Sequence, residues 1–451
     1  MKIVIIGLGN IGRTVLASLL NEDYDITIID ENRDKIEECI GEFDVCGVVG
    51  NGACMDIQVE ANVKSADLVI ALTNSDELNI LACLVAKKTG APNTVARVRN
   101  PDYRKQILAM KDELGISMIL NPEKETADEI FNLINLPSVA QIERFARGRV
   151  SLVVIVVEKG CLLIGETLIS VARKFRTKIL ICAIQRGKQV LIPSGNFVIE
   201  EGDIIHFTAA AKSLGDFLAE INLVESPLRN VMIVGGGKIG YYLADELSQK
   251  KYKVKLIEND EDRAETIADD LPKVTVISGD GTKHNLLIEE GIESMDAFIT
   301  LTGVDEENIV ASMYANKKNV RRIITKIDRD ELVGMLDDIG IYSNISPKNI
   351  IAARVLGYIR ALANKRGSNI ITLYRLVNNQ VEALEFVAKK QEKIYDKPLK
   401  NLKIKGNCLI ACIIRNNEVI IPDGNSCICQ NDNVIVVTTH RSFDDLSDIF
   451  E

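Results

Sequence analysis

The sequence predicts an α/β protein with two Rossmann-like, doubly wound parallel-sheet domains, each followed by a small α+β domain. Three observations predict it. First, the apolar run Lys2-Ile3-Val4-Ile5-Ile6 leads into Gly7-Leu8-Gly9-Asn10-Ile11-Gly12, and Arg13 to Leu20 then has helical spacing. This reads as strand, glycine turn, helix. The first glycine permits a sharp turn, the second leaves room for a pyrophosphate, and the third lets the helix lie close to the strand. Second, the design returns 228 residues later, where Val231 to Val234 precedes Gly235-Gly236-Gly237-Lys238-Ile239-Gly240. Third, each copy has a second strand ending in an acid, Asp30 or Glu258, 18 residues after the last glycine. That is near where a carboxylate holds a ribose hydroxyl.

The chain has 451 residues, so length alone suggests about three domains. Hydrophobic residues make up 47% and aromatics only 5%, with no Trp, which suits aliphatic α/β packing. The net charge of −10 argues against a nucleic-acid partner, whose phosphates need clustered Lys and Arg. Ten cysteines (39, 46, 54, 83, 161, 182, 408, 412, 427 and 429) include no second Cys/His pair at zinc spacing, and they read as reduced packing residues of a cytoplasmic protein. Met1 runs straight into the first strand, so no signal peptide is expected. Apolar runs such as Leu152 to Val157 and Ile179 to Ile184 are too short to span a bilayer.

In chain order, Arg33 to Gly41 reads as a helix and Val45 to Val49 as the third strand, ending at Gly50-Asn51-Gly52. Leu68 to Thr73 is the fourth strand. Asp76 to Lys88 is a helix with an acidic start and a basic end, as the helix dipole favours. Thr94 to Val98 and Ser117 to Leu120 are the last two strands. The helix from Pro122 to Leu136 carries Ala127, Ile130, Phe131 and Ile134 on one face. Nothing in its own domain is left for that face to cover, so a neighbouring domain or another subunit is expected to receive it.

From Ser138 the period changes to strands: Ser151 to Val157, Ile179 to Ile184, Gln189 to Ile192 and Ile204 to Thr208, with one short helix at Ser170 to Phe175. The second half repeats both modules. Gly279-Asp280-Gly281 matches Gly50-Asn51-Gly52, and Leu301-Thr302 matches Leu72-Thr73. Ile421-Pro422-Asp423-Gly424-Asn425 matches Ile192-Pro193-Ser194-Gly195-Asn196, and Asp432 matches Asp203. Val355, Leu356, Ile359 and Leu362 stand on a helix like that of Ile130. The expected domains are 1–137, 138–221, a linker at 222–228, 229–366 and 367–451.

Two ligand sites are expected. A carboxylate accepts hydrogen bonds from ribose hydroxyls and repels a 2′-phosphate, which favours NAD over NADP; ATP or ADP would satisfy the same contacts. Asn51 and Asp280 either meet the adenine edge or are turn residues. Among three histidines, His206 sits in an apolar strand and reads as packed, His284 lies near the second motif, and His440 is near the C-terminus. No Ser/His/Asp, Cys/His or dehydrogenase-type Ser/Tyr/Lys set is apparent. An NAD-dependent oxidoreductase is therefore the weaker reading.

The glycine motif with Asp30, the Leu72-Thr73 strand end, Ala96-Arg97-Val98-Arg99-Asn100-Pro101, and the Ile-Pro-x-Gly-Asn turn before Gly202-Asp203 resemble an RCK (KTN) domain pair. Two pairs in tandem resemble the regulatory subunits of bacterial Trk potassium uptake; an RCK regulator of potassium efflux is the alternative. The resemblance covers nearly the whole chain. It implies a non-catalytic gating ring, peripheral to the inner face of the membrane, beneath an integral potassium-translocating subunit of the TrkH type. It implies NAD(H) or ATP/ADP in the large modules and, in some relatives, cyclic di-AMP in the small ones. By motif position Gly7, Gly9, Gly12, Asp30, Asn51, Thr73 and Arg97 would contact one nucleotide. Gly235, Gly237, Gly240, Glu258, Asp280, Thr302 and Lys326 would contact the other. The intervening loop residues Leu8, Asn10, Ile11, Lys238 and Ile239, and the turn residues Gly52 and Gly281, complete the expected sites. Glu123 stands where related rings can hold a cation, but its counterpart is Lys348. Lys238 in place of Asn10 implies that the second site leans towards ATP or ADP. The uncovered stripes on the Ile130 and Ile359 helices imply a homo-oligomer, expected to be a tetramer.

Overall fold

The computed structural model describes the chain except residues 21–23, 112, 135–139, 146–148, 158, 188, 224–227, 335–340, 342, 365–369, 377–380, 389–393, 441–442, 444 and 451. The expected boundaries at 137/138 and 366/367, and most of the expected linker, lie outside the described residues.

In the first half the elements run β1 (Lys2–Ile6), α1 (Asn10–Leu19), β2 (Asp25–Asp30), α2 (Arg33–Glu42), β3 (Cys46–Val49), α3 (Met55–Glu60), β4 (Leu68–Ala71), α4 (Asp76–Thr89), β5 (Asn93–Arg97), α5 (Pro101–Met110), β6 (Met118–Leu120) and α6 (Pro122–Ile134). The small module follows as β7 (Ala140–Phe145), β8 (Val150–Val156), α7 (Leu168–Lys174), β9 (Ile179–Arg186), β10 (Gln189–Leu191), β11 (Ile204–Ala210) and α8 (Leu214–Glu220). The second half repeats this with β12 (Asn230–Val234), α9 (Lys238–Gln249), β13 (Lys253–Glu258), α10 (Glu261–Asp270), β14 (Thr275–Ser278), α11 (His284–Glu289), β15 (Ala297–Thr300), α12 (Asp305–Lys317), β16 (Arg322–Lys326), β17 (Asn344–Ile345) and α13 (Pro347–Asn364). It closes with β18 (Ile370–Leu376), β19 (Val381–Val387), β20 (Cys408–Arg415), β21 (Glu418–Ile420) and β22 (Asn433–Thr438).

Each large module is a six-stranded parallel sheet, in the orders β3-β2-β1-β4-β5-β6 and β14-β13-β12-β15-β16-β17. The strand order reverses between β1 and β4, and between β12 and β15. Crevices at such switch points, beyond the carboxyl ends of the strands, are where open α/β sheets bind ligands. Each small module is a five-stranded antiparallel sheet, β10-β9-β11-β8-β7 and β18-β19-β22-β20-β21, with the same neighbour relations.

The chain forms two compact units. One holds both parallel sheets (Met1–Asn135 with Pro227–Leu356), the other both antiparallel sheets (Leu136–Ser226 with Gly357–Glu451). Strands of a doubly covered sheet are apolar on both faces. On β12, Met232 and Val234 face a core with Leu287, Phe298 and Ala311. Val231 and Ile233 face the opposite core with Leu243 and Leu247, and there α6 supplies Ala127, Ile130 and Ile134. The apolar stripe on α6 thus covers the second parallel-sheet domain. Ile130 and Ile359 are both fully buried, so the stripes give no ground for expecting an oligomer. Burying an Ile contributes about 1.5–3 kcal/mol, so α6 ties the two large modules together.

In the antiparallel unit, Arg186 donates from Nε and Nη2 to the Asp203 carboxylate at 2.7 and 2.8 Å. Arg415 repeats this with Asp432 at 3.0 and 2.8 Å. Val150, Leu152, Cys182 and Ala183 share one core with Val381, Ala383, Ala411 and Cys412, so the two small sheets pack face to face. Thr208 Oγ1 donates across that core to Ala411 O at 2.9 Å. All ten cysteines are free; Cys427 makes an isolated β-bridge with Pro398.

Candidate functional site

The glycine loops are built as the sequence reading expects. Gly7 has φ +96°, and Gly235 has φ +106°. A side chain at Gly7 would also meet Thr73 N at 2.8 Å, so the loop lies directly against the end of β4. A Cβ at Gly12 would stand 2.0 Å from Gly7 O, and one at Gly240 2.1 Å from Gly235 O. These glycines therefore set the approach of helix to strand. Gly9 and Gly237 differ: nothing lies within 4 Å of a Cβ built on either. Their lack of a side chain serves no contact inside the protein, and the open space is where a ligand backbone would pass.

Leu8 is buried, Ile11 and Ile239 are half-buried, and Asn10 and Lys238 are exposed as first residues of α1 and α9. Asp30 and Glu258 act on the loops themselves. Asp30 accepts from Leu8 N at 2.6 Å and from Asn32 N at 2.9 Å. Glu258 accepts from Gly236 N at 2.6 Å and Asp260 N at 3.0 Å. Each carboxylate thus fastens its glycine loop to the start of the following helix. Two amides use only part of a carboxylate's acceptor capacity, leaving lone pairs for ribose hydroxyls.

Asn51 Oδ1 accepts from Ala53 N at 2.8 Å. Asp280 Oδ1 accepts from Thr282 N at 3.0 Å and Thr282 Oγ1 at 2.6 Å. The Thr282 side-chain and backbone bonds hold the Asp280 carboxyl below its usual range. Both residues therefore cap turns. Gly52 and Gly281 are packing glycines; a Cβ would come within 2.2 Å of Ile6 Cγ2 and 2.3 Å of Val234 Cγ1.

The far wall of the first crevice is polar. Thr73 N and Oγ1 both donate to Asn79 Oδ1, at 2.8 and 2.7 Å, and Asn79 Nδ2 donates to Arg97 O at 3.0 Å. Asn308 repeats the backbone part, accepting from Thr302 N at 2.9 Å and donating to Lys326 O at 3.1 Å, while Thr302 Oγ1 donates to Val304 O. Arg97 is 9% exposed and its Nε has no partner among the described residues. Burial pushes its pKa below the usual arginine value, against the pull of the Glu123 charge. Glu123 Oε2 is likewise buried and unpartnered. In the second half Lys326 instead bonds Asp328 at 2.5 Å and Lys348 bonds Asp330 at 2.9 Å, so the two walls are not equivalent.

Several contributors were not legible. Asp76 Oδ2 accepts from Arg99 N and Asn100 N at 2.9 and 2.8 Å, and Asp305 does the same for Asp328 and Arg329. The only hint was the repeated acid at each helix start. Gln58 Nε2 ties Gly52 O to Ala82 O in the first half alone. His284 stacks on Tyr314, with ring centroids 4.0 Å apart.

Two parallel switch-point crevices with glycine loops, each followed by an antiparallel module, define a duplicated Rossmann-type protein with the arrangement expected of RCK pairs. The TrkA-N domain matches residues 3–122 and 231–347, and the TrkA-C domain matches 152–222. The chain belongs to the TrkA family of Trk potassium uptake systems. It is 34% identical to the Trk system potassium uptake protein TrkA of Vibrio alginolyticus over 98% of this chain and 97% of that one. It is 31% identical to the protein of that name from Haemophilus influenzae, over 98% and 96%. These are named as potassium uptake proteins and not as enzymes, in keeping with the non-catalytic reading. In fold the chain is similar to the GsuK channel bound to NAD (TM-score 0.63, 19% identity, 97% of this chain, 76% of that one). It is also similar to GsuK bound to ADP (TM-score 0.51, 17% identity, 81% and 70%). Among the described residues no helix is long and apolar enough to cross a membrane.

Proposed function

We propose that this chain is a nucleotide-sensing regulatory subunit that controls a potassium uptake transporter from the cytoplasmic face. The observation that carries the reading is the pair of glycines, Gly9 and Gly237, that face open space at the mouths of two switch-point crevices. Gly9, Asn10, Ile11 and Gly12 would hold a dinucleotide pyrophosphate, with Asp30 on the ribose and Arg97 beside Thr73 on the crevice wall. The cofactor supplies a ligand charge and shape to be sensed; no chemistry on it is required. NAD(H) suits the first loop. Lys238 inclines the second towards ATP or ADP. The fold neighbour described with NAD and with ADP supports both ligand classes.

The proposed assembly is a homotetramer docked on an integral TrkH-type subunit at the inner face of the membrane. An apolar face repeated in both halves supports self-association: Met55, Val59 and Leu81 in the first, Ile288, Val310 and Met313 in the second, all exposed. The small modules are proposed to take a further effector, cyclic di-AMP among the candidates. An open cleft of about 640 Å³ in their unit, lined by Arg176, Lys178 and Lys212 together with Asp216 and Glu220 and by the apolar Val419 and Ile421, is the candidate place for one. The domains are assigned as 1–137, 138–221, 229–366 and 367–451.

The test is Gly9→Ala and Gly237→Ala, singly and together. Neither Cβ meets an atom, so the melting temperature is expected to stay close to wild type. Calorimetry should show NAD binding lost with the first change and ATP binding lost with the second. A double variant that binds both nucleotides like wild type, or steady NADH oxidation by the wild type, refutes the proposal.

A further inference from the structure

The second glycine loop carries a cation that the first lacks. Arg263, the third residue of α10, reaches back to donate from Nε to Gly236 O at 3.2 Å. It is half-buried. Among the described residues it forms no ion pair, although Glu261 and Asp262 precede it on the helix. This is an unfavourable place for an unpaired guanidinium. The first turn of a helix presents the positive end of the dipole, and a partly desolvated cation is costly without an anion. Nε is committed to the loop, and four N–H groups on the guanidinium's outer nitrogens remain to be used.

The first loop is arranged differently. The position aligned with Arg263 is Lys35, for which no side-chain bond to the loop is found among the described residues. Arg13, the basic residue nearest that loop in sequence, is occupied by Glu38 at 2.8 Å and Glu42 at 2.9 Å. In the second half Tyr241 takes the place of Arg13, so the cation has moved from the first helix of the fold to the second. Among the described residues the second loop therefore has two cations without carboxylate partners, Arg263 and Lys238, flanking the residue that faces open space.

We infer that Arg263 is the specificity-determining residue of the second loop, where its guanidinium, anchored on the Gly236 carbonyl, reads the terminal phosphates of a nucleoside polyphosphate. The inference rests on the second loop being a nucleotide site. Guanidinium suits this role because its planar fork meets phosphate oxygens in pairs.

The experiment uses the full chain with Gly9→Ala, so that only the second loop binds, and titrates ATP, ADP and AMP by calorimetry. Arg263→Gln is expected to weaken ATP by about tenfold or more, as loss of charge-assisted bonds implies. AMP should change little, so the ATP-to-AMP affinity ratio collapses. Arg263→Lys should keep part of the ratio and serves if the glutamine variant folds poorly. An unchanged ratio, or equal losses for ATP and AMP, overturns the inference and leaves Arg263 as loop support. If the Gly9→Ala chain binds no nucleotide at all, the nucleotide reading of the second loop fails with it, which is a separate result.

Discussion

Acid should loosen the antiparallel unit through one side chain, His206. It lies in the middle of β11, 4% exposed, opposite Val154 on β8 and Ala183 on β9. Neither ring nitrogen has a partner among the described residues, and burial pushes its pKa down to about 4 from 6.5. The unfolded chain keeps the ordinary value. Because the folded pKa is the lower, the unfolded state takes up the proton first, and the stability present above pH 6.5 is lost as pH falls towards 4. With those two values the loss is about 2 kcal/mol at pH 5 and approaches about 3 kcal/mol below pH 4. The second small module has Ile435 at the matching position, fully enclosed in the same kind of sheet, so His206→Ile uses a residue the fold already accepts. Urea unfolding at pH 7.5 and pH 5 should show the wild type losing about 2 kcal/mol more than His206→Ile. Histidine-selective NMR should show one ring, absent from the variant, that is still neutral at pH 5. A ring that titrates near 6.5, or equal acid sensitivity in both proteins, refutes the reasoning.

Asp30→Ala removes a carboxylate that holds Leu8 N and Asn32 N, and should weaken NAD at the first loop by about 1.5–3 kcal/mol in calorimetry; wild-type binding of NADP at that loop as tight as NAD would show that Asp30 does not select against a 2′-phosphate. Light scattering is expected to give a tetramer. Val59→Glu with Val310→Glu should shift it towards smaller species by placing charge on the repeated apolar face, and an unmoved tetramer would assign assembly to another surface.

The glycine loops were legible because their residue types are dictated by backbone geometry within a dozen positions. The central strands β1, β4, β12 and β15 were legible because both of their faces are buried and their apolar runs are nearly unbroken. What escaped was short or distant. The helix α3 has only six residues, and in so few turns an apolar period is barely expressed. The stripe on α6 was visible, but its target lies more than a hundred residues on in the sequence. The Asp203 repeat was visible, but its meaning depends on Arg186, whose partner is fixed only when β9 and β11 pair. Asn51 had two readings from sequence, and its bond to Ala53 N favours the turn. Spacing marks Asp30 as a ligand residue; that it also clamps Leu8 N follows from loop geometry no spacing rule contains.

The crossing of α6 onto the second sheet places both glycine loops in one packed unit, and the contacts there run from one crevice towards the other. Arg99 follows the wall residue Arg97, and its amide is held by Asp76. Its carbonyl accepts from Tyr242 at 3.4 Å, and Tyr242 is in the second turn of α9, the helix that begins just past Gly237. Lys124, next to Glu123 at the rim, bonds Glu246 on the same helix at 2.9 Å. A ligand that displaces the rim must therefore displace α9 or break these bonds. Close-packed helices exchange between discrete arrangements more readily than they deform continuously. A nucleotide can bias such an exchange only by binding one arrangement more tightly than the other. That work would come from binding alone, so two glycine loops held in one packed unit are what the proposed switch requires.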